Sequence, residues 1–396
     1  MKNEERKLAK RLDTSSRNRE FTDIVYSGYH EDAEETWNKI KETRNVFLPP
    51  DSEYNIFFGE VHGHTNLSDG RPTLDEYFTS IRDRAKLDFA AVSDHEHGGV
   101  AKPELWDGGW EMTKEAVKKY YEPHKFTTIL AYEKDAYPWY NNCIVYYNSH
   151  DGEMLRGVQD GEMTRKELRE YLARDDIFLA PHDTTEIHYA VDFLTMELED
   201  MTPLMQVYSR YNYSERFDPE LSTVDIEGGH WLDALNRGAK MGCISGSDDH
   251  NGNNGLILPD KGYPRSFPGI TAVLAKENTL PAIFEALKAR RCYALMGGKI
   301  IVDFRINGHY MGEEIEDEGD RTIYYKVEAD ERIDFVTLVK NGRDYVKLKK
   351  STELMFDYRV ENDTDYYYLR VRLKDGRIAW TSPIWINSNK EGNDEK

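Results

Sequence analysis

Histidine, aspartate and glutamate residues recur along this sequence in groups that could hold metal ions. The first group is a His-Gly-His triplet, and similar residues follow at intervals through the next part of the chain. Imidazole nitrogens and carboxylate oxygens together suit zinc, manganese or iron, and such ions generate hydroxide from water near neutral pH. The groups are His62-Gly63-His64, Ser93-Asp94-His95, Glu133, Pro181-His182 and Asp248-Asp249-His250.

Each group stands at the end of a short apolar run that is typical of a buried strand. A lone histidine in such a place is usually a hydrogen-bonded structural residue. A whole series of them is different, because burying many ionisable groups side by side is costly unless a cation compensates them. The possible ligands exceed the need of one ion, so we expect two or three divalent metal ions, either zinc, manganese or iron. The preceding runs are 55–61, 88–93, 127–132, 177–180 and 243–247.

Predicted helices separate several of these strands. Thr73 and Thr164 each begin a capping box, in which a hydroxyl and a glutamate three residues later satisfy free backbone amides. Strand–helix alternation favours a parallel α/β sheet, closed into a barrel or left open. In a closed barrel, the groups at the strand ends would meet in one active site. Further strands are predicted at 143–147, 204–208 and 270–275, and further helices at 231–241 and 279–291.

The two ends of the chain differ from this central part in their predicted secondary structure and composition. After Gly297-Gly298 the helical pattern stops, and alternating strands with Asn-Gly and Asp-Gly turns predict a small all-β sandwich. Before Pro49-Pro50 the sequence is highly charged and partly helical in pattern, and the prolines end any helix. We therefore predict an N-terminal arm at 1–50, an α/β domain with the possible metal ligands at 51–297 and a β-sandwich at 298–390.

Composition excludes several classes of protein. The 396 residues include 52 Lys+Arg and 73 Asp+Glu, a net charge of −21, which disfavours long nucleic acids and anionic membranes as partners. No apolar run approaches the roughly 20 residues of a membrane-spanning helix, and no secretory segment is evident. The 3 cysteines are far apart, which fits neither a disulfide framework nor a Cys-x-x-Cys zinc site. We expect a cytoplasmic protein, and the oligomeric state is unknown.

The ordered motifs resemble those of the PHP (polymerase and histidinol phosphatase) superfamily of metal-dependent phosphoesterases. The resemblance covers residues 54–291 and, more loosely, the β-rich tail, which resembles a subgroup with a C-terminal β-sandwich. It implies a distorted, TIM-like (β/α)7 barrel. The motifs that carry it are His62-Gly63-His64 with Ser68-Asp69-Gly70, Ser93-Asp94-His95, Glu133, Pro181-His182 and Gly246-Ser247-Asp248-Asp249-His250.

The resemblance also implies a set of metal ligands. One ion would lie among His62, His64, Glu133 and Asp248; Glu133 would bridge to a second ion held by His182; and Asp69, His95 and His250 would hold a third. The sequence departs from the family pattern twice. Glu60 stands where an aspartate is usual, and Asn141-Asn142 stand where a histidine is common.

The implied activity is hydrolysis of a small phosphate ester by metal-bound hydroxide. Asp248 would accept the proton of the attacking water, and an imidazole, His182 or His250, would protonate the leaving group. Two alternatives are an amidohydrolase-like attack on a C–N or C–O bond and a non-catalytic, metal-binding regulatory protein. Three arginines could bind phosphate or merely solvate the surface, and Asp94 could cap a strand or orient an imidazole. The arginines are Arg210, Arg216 and Arg265.

Overall fold

A computed structural model describes residues 48, 52–96, 108–154, 162–222, 226–317 and 321–388. The predicted N-terminal arm, except Leu48, lies outside the described residues, as do residues 389–396. The first nine strands are β1 (Asn55–Glu60), β2 (Phe89–Val92), β3 (Thr127–Ala136), β4 (Tyr140–Tyr147), β5 (Ile177–Pro181), β6 (Leu204–Tyr208), β7 (Gly242–Ser245), β8 (Gly269–Ala275) and β9 (Cys292–Met296). These confirm all eight strands predicted over this part of the chain, and β9 is an addition.

Five α-helices lie between these strands: α1 (Leu74–Thr79), α2 (Trp110–Tyr120), α3 (Arg165–Leu172), α4 (Trp231–Asn236) and α5 (Leu280–Lys288). Both predicted capping boxes form, at Thr73 and Thr164. Helix α4 ends five residues earlier than predicted, at a turn where Gly238 has a φ of 98° that only glycine adopts readily. Among the described residues, no helix is both long enough and apolar enough to cross a membrane.

All but the last of the predicted metal-ligand motifs lie on a mixed sheet. Strands β1, β2 and β3 are parallel neighbours, whereas β4 runs antiparallel to both β3 and β5, and β8 runs antiparallel to β1. Strands β6 and β7 form a separate parallel pair. The expected parallel strands are therefore present, but the order β5-β4-β3-β2-β1-β8-β9 does not confirm a (β/α)7 barrel.

The remaining strands confirm the all-β texture predicted for the C-terminal part. They are β10 (Ile301–Ile306), β11 (His309–Tyr310), β12 (Glu314–Asp317), β13 (Arg321–Glu328), β14 (Ile333–Lys340), β15 (Arg343–Leu348), β16 (Thr352–Asp357), β17 (Thr364–Leu373), β18 (Ile378–Thr381) and β19 (Ile384–Ser388). One sheet has the order β11-β10-β13-β16. The other strands continue the main sheet, because β18 pairs with β9. The backbone ladder thus crosses the predicted boundary at residue 297.

A buried carboxylate joins the two parts of the chain. Glu215, which is fully buried, accepts hydrogen bonds from Tyr213, Tyr368 and the Trp380 indole, and it forms an ion pair with Arg370 at 2.9 Å. Burial alone would raise the pKa of Glu215, but the Arg370 charge and the hydrogen bonds hold it below the usual value. Every partner except Tyr213 comes from the C-terminal strands.

We predict that Glu215→Gln lowers the free energy of unfolding by about 3–5 kcal/mol, because it removes the buried charge that compensates the Arg370 guanidinium and leaves only the more exposed Asp344 as its counter-ion. Glu170→Gln is a matched control, since Glu170 pairs only with Lys166 on the surface of α3 and such pairs contribute about 1 kcal/mol or less. Urea unfolding followed by circular dichroism measures both. Equal losses in the two variants would contradict a special role for Glu215.

Candidate metal centre

Hydrogen bonds beyond the strand ends bring the ligand-bearing segments together. The Ser93 amide donates to the Gly63 carbonyl (3.0 Å), and the Asp248 amide donates to the His62 carbonyl (2.8 Å). A further single β-bridge pairs His95 with Glu133. The pairing of β1 with its neighbours therefore continues past the last regular residues, and the side chains that follow the strands point to one place.

The inner part of this centre consists of two imidazoles and two carboxylates. The Nε2 atoms of His62 and His64 lie 3.3 Å apart. The Glu133 Oε2 atom lies 3.3 Å from the His62 nitrogen and 3.4 Å from that of His64. The Asp248 Oδ1 atom lies 3.3 and 3.1 Å from the same two nitrogens. All four side chains are buried.

Three further imidazoles extend the centre through shared carboxylates. Glu133 Oε1 lies 3.2 Å from His182 Nε2, and Glu133 Oε2 lies 3.4 Å from His95 Nδ1. Asp69 Oδ1 lies 3.6 Å from His95 Nε2 and 3.2 Å from His250 Nε2. All eight residues predicted as ligands or catalytic groups therefore lie in one cluster, in which Glu133 is central.

The arrangement fits divalent cations. Ligand atoms of His62, His64 and Glu133 lie within 4.8 Å of one another, as do those of His64, Asp69, His95 and His250. Two imidazole nitrogens that face each other at 3.3 Å are both electron-pair donors when neutral, so a cation between them and the carboxylates satisfies all of them. With nitrogen and oxygen donors only, the donor set suits zinc, manganese or iron.

Charge compensation within the cluster shifts its pKa values strongly. Burial lowers the pKa of His64 to about 4, with help from the nearby His95. Burial also disfavours the charged forms of His95 and His182, but the Glu133 carboxylate outweighs it and raises both pKa values to about 9. For His250, the Asp69 carboxylate has the same effect, again to about 9. In the metal-free protein, protons on these three imidazoles therefore compensate the carboxylate charge that metal cations would otherwise compensate.

Two carboxylates hold the ligand-bearing loops. Glu60 Oε1 accepts hydrogen bonds from the amides of His62 (3.1 Å) and Ser247 (2.8 Å). The Glu60 side chain therefore ties the first motif to the last. Asp94 accepts from the Thr65 amide (2.7 Å) and the Ser68 hydroxyl (2.5 Å), so it braces the loop before Asp69 instead of orienting an imidazole.

The three arginines considered as phosphate ligands have different surroundings. Arg210 is buried and donates to the carbonyls of Arg265 (2.9 Å) and Leu256 (2.5 Å), so it binds loops of the protein itself. Arg216 pairs with Asp344 at 3.0 Å. Arg265 is exposed.

Asn141, one of the two asparagines that stand where the resembled family often has a histidine, contacts a loop. Its side-chain amide donates to the His188 carbonyl at 3.5 Å.

The sequence analysis missed Gln206 and Tyr211 near the centre, and it gave no role to Asp183, which follows His182. Gln206 places its amide oxygen 3.1 Å from His62 Nδ1. The one sequence feature that could have revealed it is its position as a polar residue within an apolar strand. Tyr211 is 47% exposed, and its ring lies 6.1 Å from that of His250 at 88°. Asp183 has a φ of 52°, and burial raises its pKa to about 6. Asp248 shares this left-handed backbone, with a φ of 54°, which is uncommon outside glycine.

We predict that the metal-free protein loses stability as the pH rises from about 6.5 to about 9. The folded-state pKa values of His95, His182 and His250, about 9, exceed the ordinary 6.5, so their contribution is complete below 6.5 and disappears through 9. Metal ions bind the deprotonated imidazoles, so the rise in Tm on adding Mn²⁺ or Zn²⁺ should grow over the same range. Calorimetry measures both trends, and a metal-induced rise of equal size at both ends of that range would contradict the prediction.

Comparison with known proteins gives distant relatives. The chain is 24% identical over 374 residues to an uncharacterized protein of Chlamydia pneumoniae, covering 86% of this chain and 58% of the relative. It is 24% identical over 379 residues to an uncharacterized protein of Chlamydia muridarum, covering 85% and 58%. The chain therefore spans less than two thirds of the length of these relatives. No family model matches it.

Two solved structures align with parts of this chain at low similarity. A two-domain protein from Bacteroides vulgatus, which contains a predicted PHP-like metal-dependent phosphoesterase, aligns with 85% of this chain and 97% of its own, at a TM-score of 0.43 and 16% identity. Fibronectin(III)-like modules of Clostridium thermocellum CbhA align with 22% of this chain and 94% of theirs, at a TM-score of 0.19 and 15% identity. Both likenesses are too distant to assign an activity, so the chemistry of the metal centre is the basis for a functional proposal.

Proposed function

We propose that this protein is a metal-dependent hydrolase, and specifically a phosphoesterase that acts on a small phosphate ester. The observation that carries the proposal is the convergence of five imidazoles on shared carboxylates: four of them belong to two groups whose ligand atoms lie within 4.8 Å of one another, and the fifth, His182, lies 3.2 Å from Glu133. Two or three ions of zinc, manganese or iron would fill such a site. Clusters of this kind suit phosphoryl transfer, because several cations together can neutralise the charge of the transferring group.

Bound divalent ions would supply Lewis acidity and a nucleophile derived from water. His62, His64, Glu133 and Asp248 would hold one ion, His182 a second with Glu133, and Asp69, His95 and His250 a third. Among the chain's own groups, Asp248 is placed to accept a proton, since it is both a ligand and a neighbour of His64 and His250. Of the five imidazoles, His250 is the most exposed, with 23% of its side chain accessible, so it can reach a leaving group at the solvent side.

The distorted barrel remains part of this proposal. Side chains link β7 to β8 where the regular ladder is missing: the Ser245 amide donates to the Thr271 hydroxyl (2.9 Å), which donates back to the Ser245 carbonyl (2.7 Å). Such links are what closing a strained, mixed sheet around the ligands requires. A small substrate also agrees with the net charge of −21, which repels long polyanions. A cytoplasmic location stays part of the proposal.

We predict hydrolysis of p-nitrophenyl phosphate by the purified protein loaded with Mn²⁺, Zn²⁺ or Fe²⁺. The double variant His62→Ala/His64→Ala should lose activity by more than about 100-fold, because removal of groups that merely support ligands already costs 10–100-fold. His124→Ala and His309→Ala are matched controls on the exposed surface.

The same assay separates the alternatives. Turnover of amide or lactone substrates without phosphate release would favour an amidohydrolase-like enzyme. Stoichiometric metal without any turnover would favour a regulatory protein. Only trace metal per chain under metal-replete conditions would refute the metal-dependent hydrolase altogether.

A second prediction concerns Gln206. Its amide oxygen can only accept, so His62 Nδ1 carries the proton and Nε2 presents its lone pair to the centre. Gln206→Leu should weaken metal binding by about 10–100-fold while the fold is retained, as metal titration followed by calorimetry would show. Gln206→Glu, which preserves the acceptor, should retain most of the affinity. Full affinity in Gln206→Leu would contradict this positioning role.

A further inference from the structure

Within the described part of the chain, the candidate metal centre is most exposed at Asp69 and His250. The side chains of His62, His64, Glu133 and His182 are at most 2% exposed, whereas those of Asp69 and His250 are 37% and 23% exposed. A substrate must therefore approach along the side formed by Asp69 and His250. The part of a substrate that lies outside the centre must rest on the surface next to these two residues.

A cavity of about 520 Å³ lies on that surface. Its lining includes Arg71, two residues after Asp69, and Asn251, the neighbour of His250. The Arg71 amide donates to the His250 carbonyl at 2.8 Å, which joins the two ligand loops at the cavity wall. Consecutive Cα atoms are about 3.8 Å apart, so the cavity begins within one or two residues of the open ligands.

Two arginines of this cavity lack an acidic partner within the described part of the chain. Its acidic groups are already bound: Glu76 accepts from the Thr73 amide (2.8 Å) as the cap of α1, and Asp83 pairs with Arg82 (2.8 Å). Arg71 and Arg84 form no ion pair within the described part of the chain, and Arg84 makes one hydrogen bond, to the Ser80 hydroxyl (3.3 Å). Two guanidinium groups are thus available in the same cavity, in a protein whose net charge is −21.

We propose that this cavity is a second anion site, in which Arg71 and Arg84 bind a carboxylate or phosphate at the far end of the substrate. The inference rests on the proposed phosphoesterase function and narrows its substrates to phosphate monoesters that carry another anionic group. Guanidinium suits this role because it binds carboxylate and phosphate through two parallel hydrogen bonds.

The experiment compares two matched series of substrates on the metal-loaded protein. One series contains phosphate monoesters of ω-hydroxycarboxylic acids of increasing length, and the other contains the monoesters of the corresponding diols. We expect a kcat/KM about tenfold higher for the acid series at its best length, since hydrogen bonds to charged groups give preferences of this size. The preference should appear mainly in KM. Arg71→Gln and Arg84→Gln should each reduce it, Arg71→Lys should restore part of it, and the diol esters should react as before.

Controls separate this inference from the proposed function. Arg343→Gln removes an exposed arginine of β15 and should leave the preference intact. Calorimetric binding of the matching phosphonates measures the same preference without turnover. If no ester is hydrolysed but carboxylated phosphonates bind more tightly, and Arg71→Gln abolishes the difference, the phosphoesterase proposal fails and the anion site stands. Equal kcat/KM for both series in the unmodified protein, or a preference unchanged in Arg71→Gln/Arg84→Gln, would overturn the anion site.

Discussion

Mutual compensation of charge at Glu133 is the interaction on which the rest of this structure depends. Its two oxygens lie within 3.4 Å of nitrogens from four histidines, and the side chain is 1% exposed. A carboxylate in such a place is too costly to bury alone, and so are the imidazoles around it. The cluster therefore demands positive charge, which protons supply in part and divalent cations supply better. Because β1, β2 and β5 end next to this cluster and Glu133 lies within β3, the need for charge compensation constrains how these strands are arranged.

The segments that carry these side chains are brought together by close approach of their backbones as well as by hydrogen bonds. Gly246 follows β7, and a Cβ atom there would lie 2.4 Å from the His62 Cβ and 2.8 Å from the Gln206 amide oxygen. Glycine is thus required for the last motif to lie against the first. Glu60 then fastens the same junction by accepting the amides of His62 and Ser247. Rigid support of this kind keeps ligands converged without relying on the metal alone.

The residues of the candidate site were easier to predict from the sequence than the direction and order of the strands. The eight residues predicted as ligands or catalytic groups could be found because residue type and position after an apolar run are both visible locally, and all eight lie in one cluster. Strand direction is not local: nothing in 140–147 marks β4 as antiparallel to both neighbours, since that depends on its hairpin with β3. Helix α2 escaped prediction because its N-terminal Gly109 provides no side-chain cap and five of its eleven residues are charged. Gln206 and Tyr211 act through contacts distant in sequence, which spacing cannot show.

The C-terminal strands are physically coupled to the metal centre through one loop. After β6, the Ser209 hydroxyl accepts from the Tyr211 amide (3.1 Å), which presents the Tyr211 ring to His250. Glu215, four residues further along the chain, is buried; it forms an ion pair with Arg370 and accepts a hydrogen bond from Trp380. Trp380 also packs against Tyr213, at 5.7 Å between ring centres. The loop is therefore held at one end by the C-terminal strands and borders the open side of the centre at the other. Those strands thus help to position the loop that places Tyr211 next to His250.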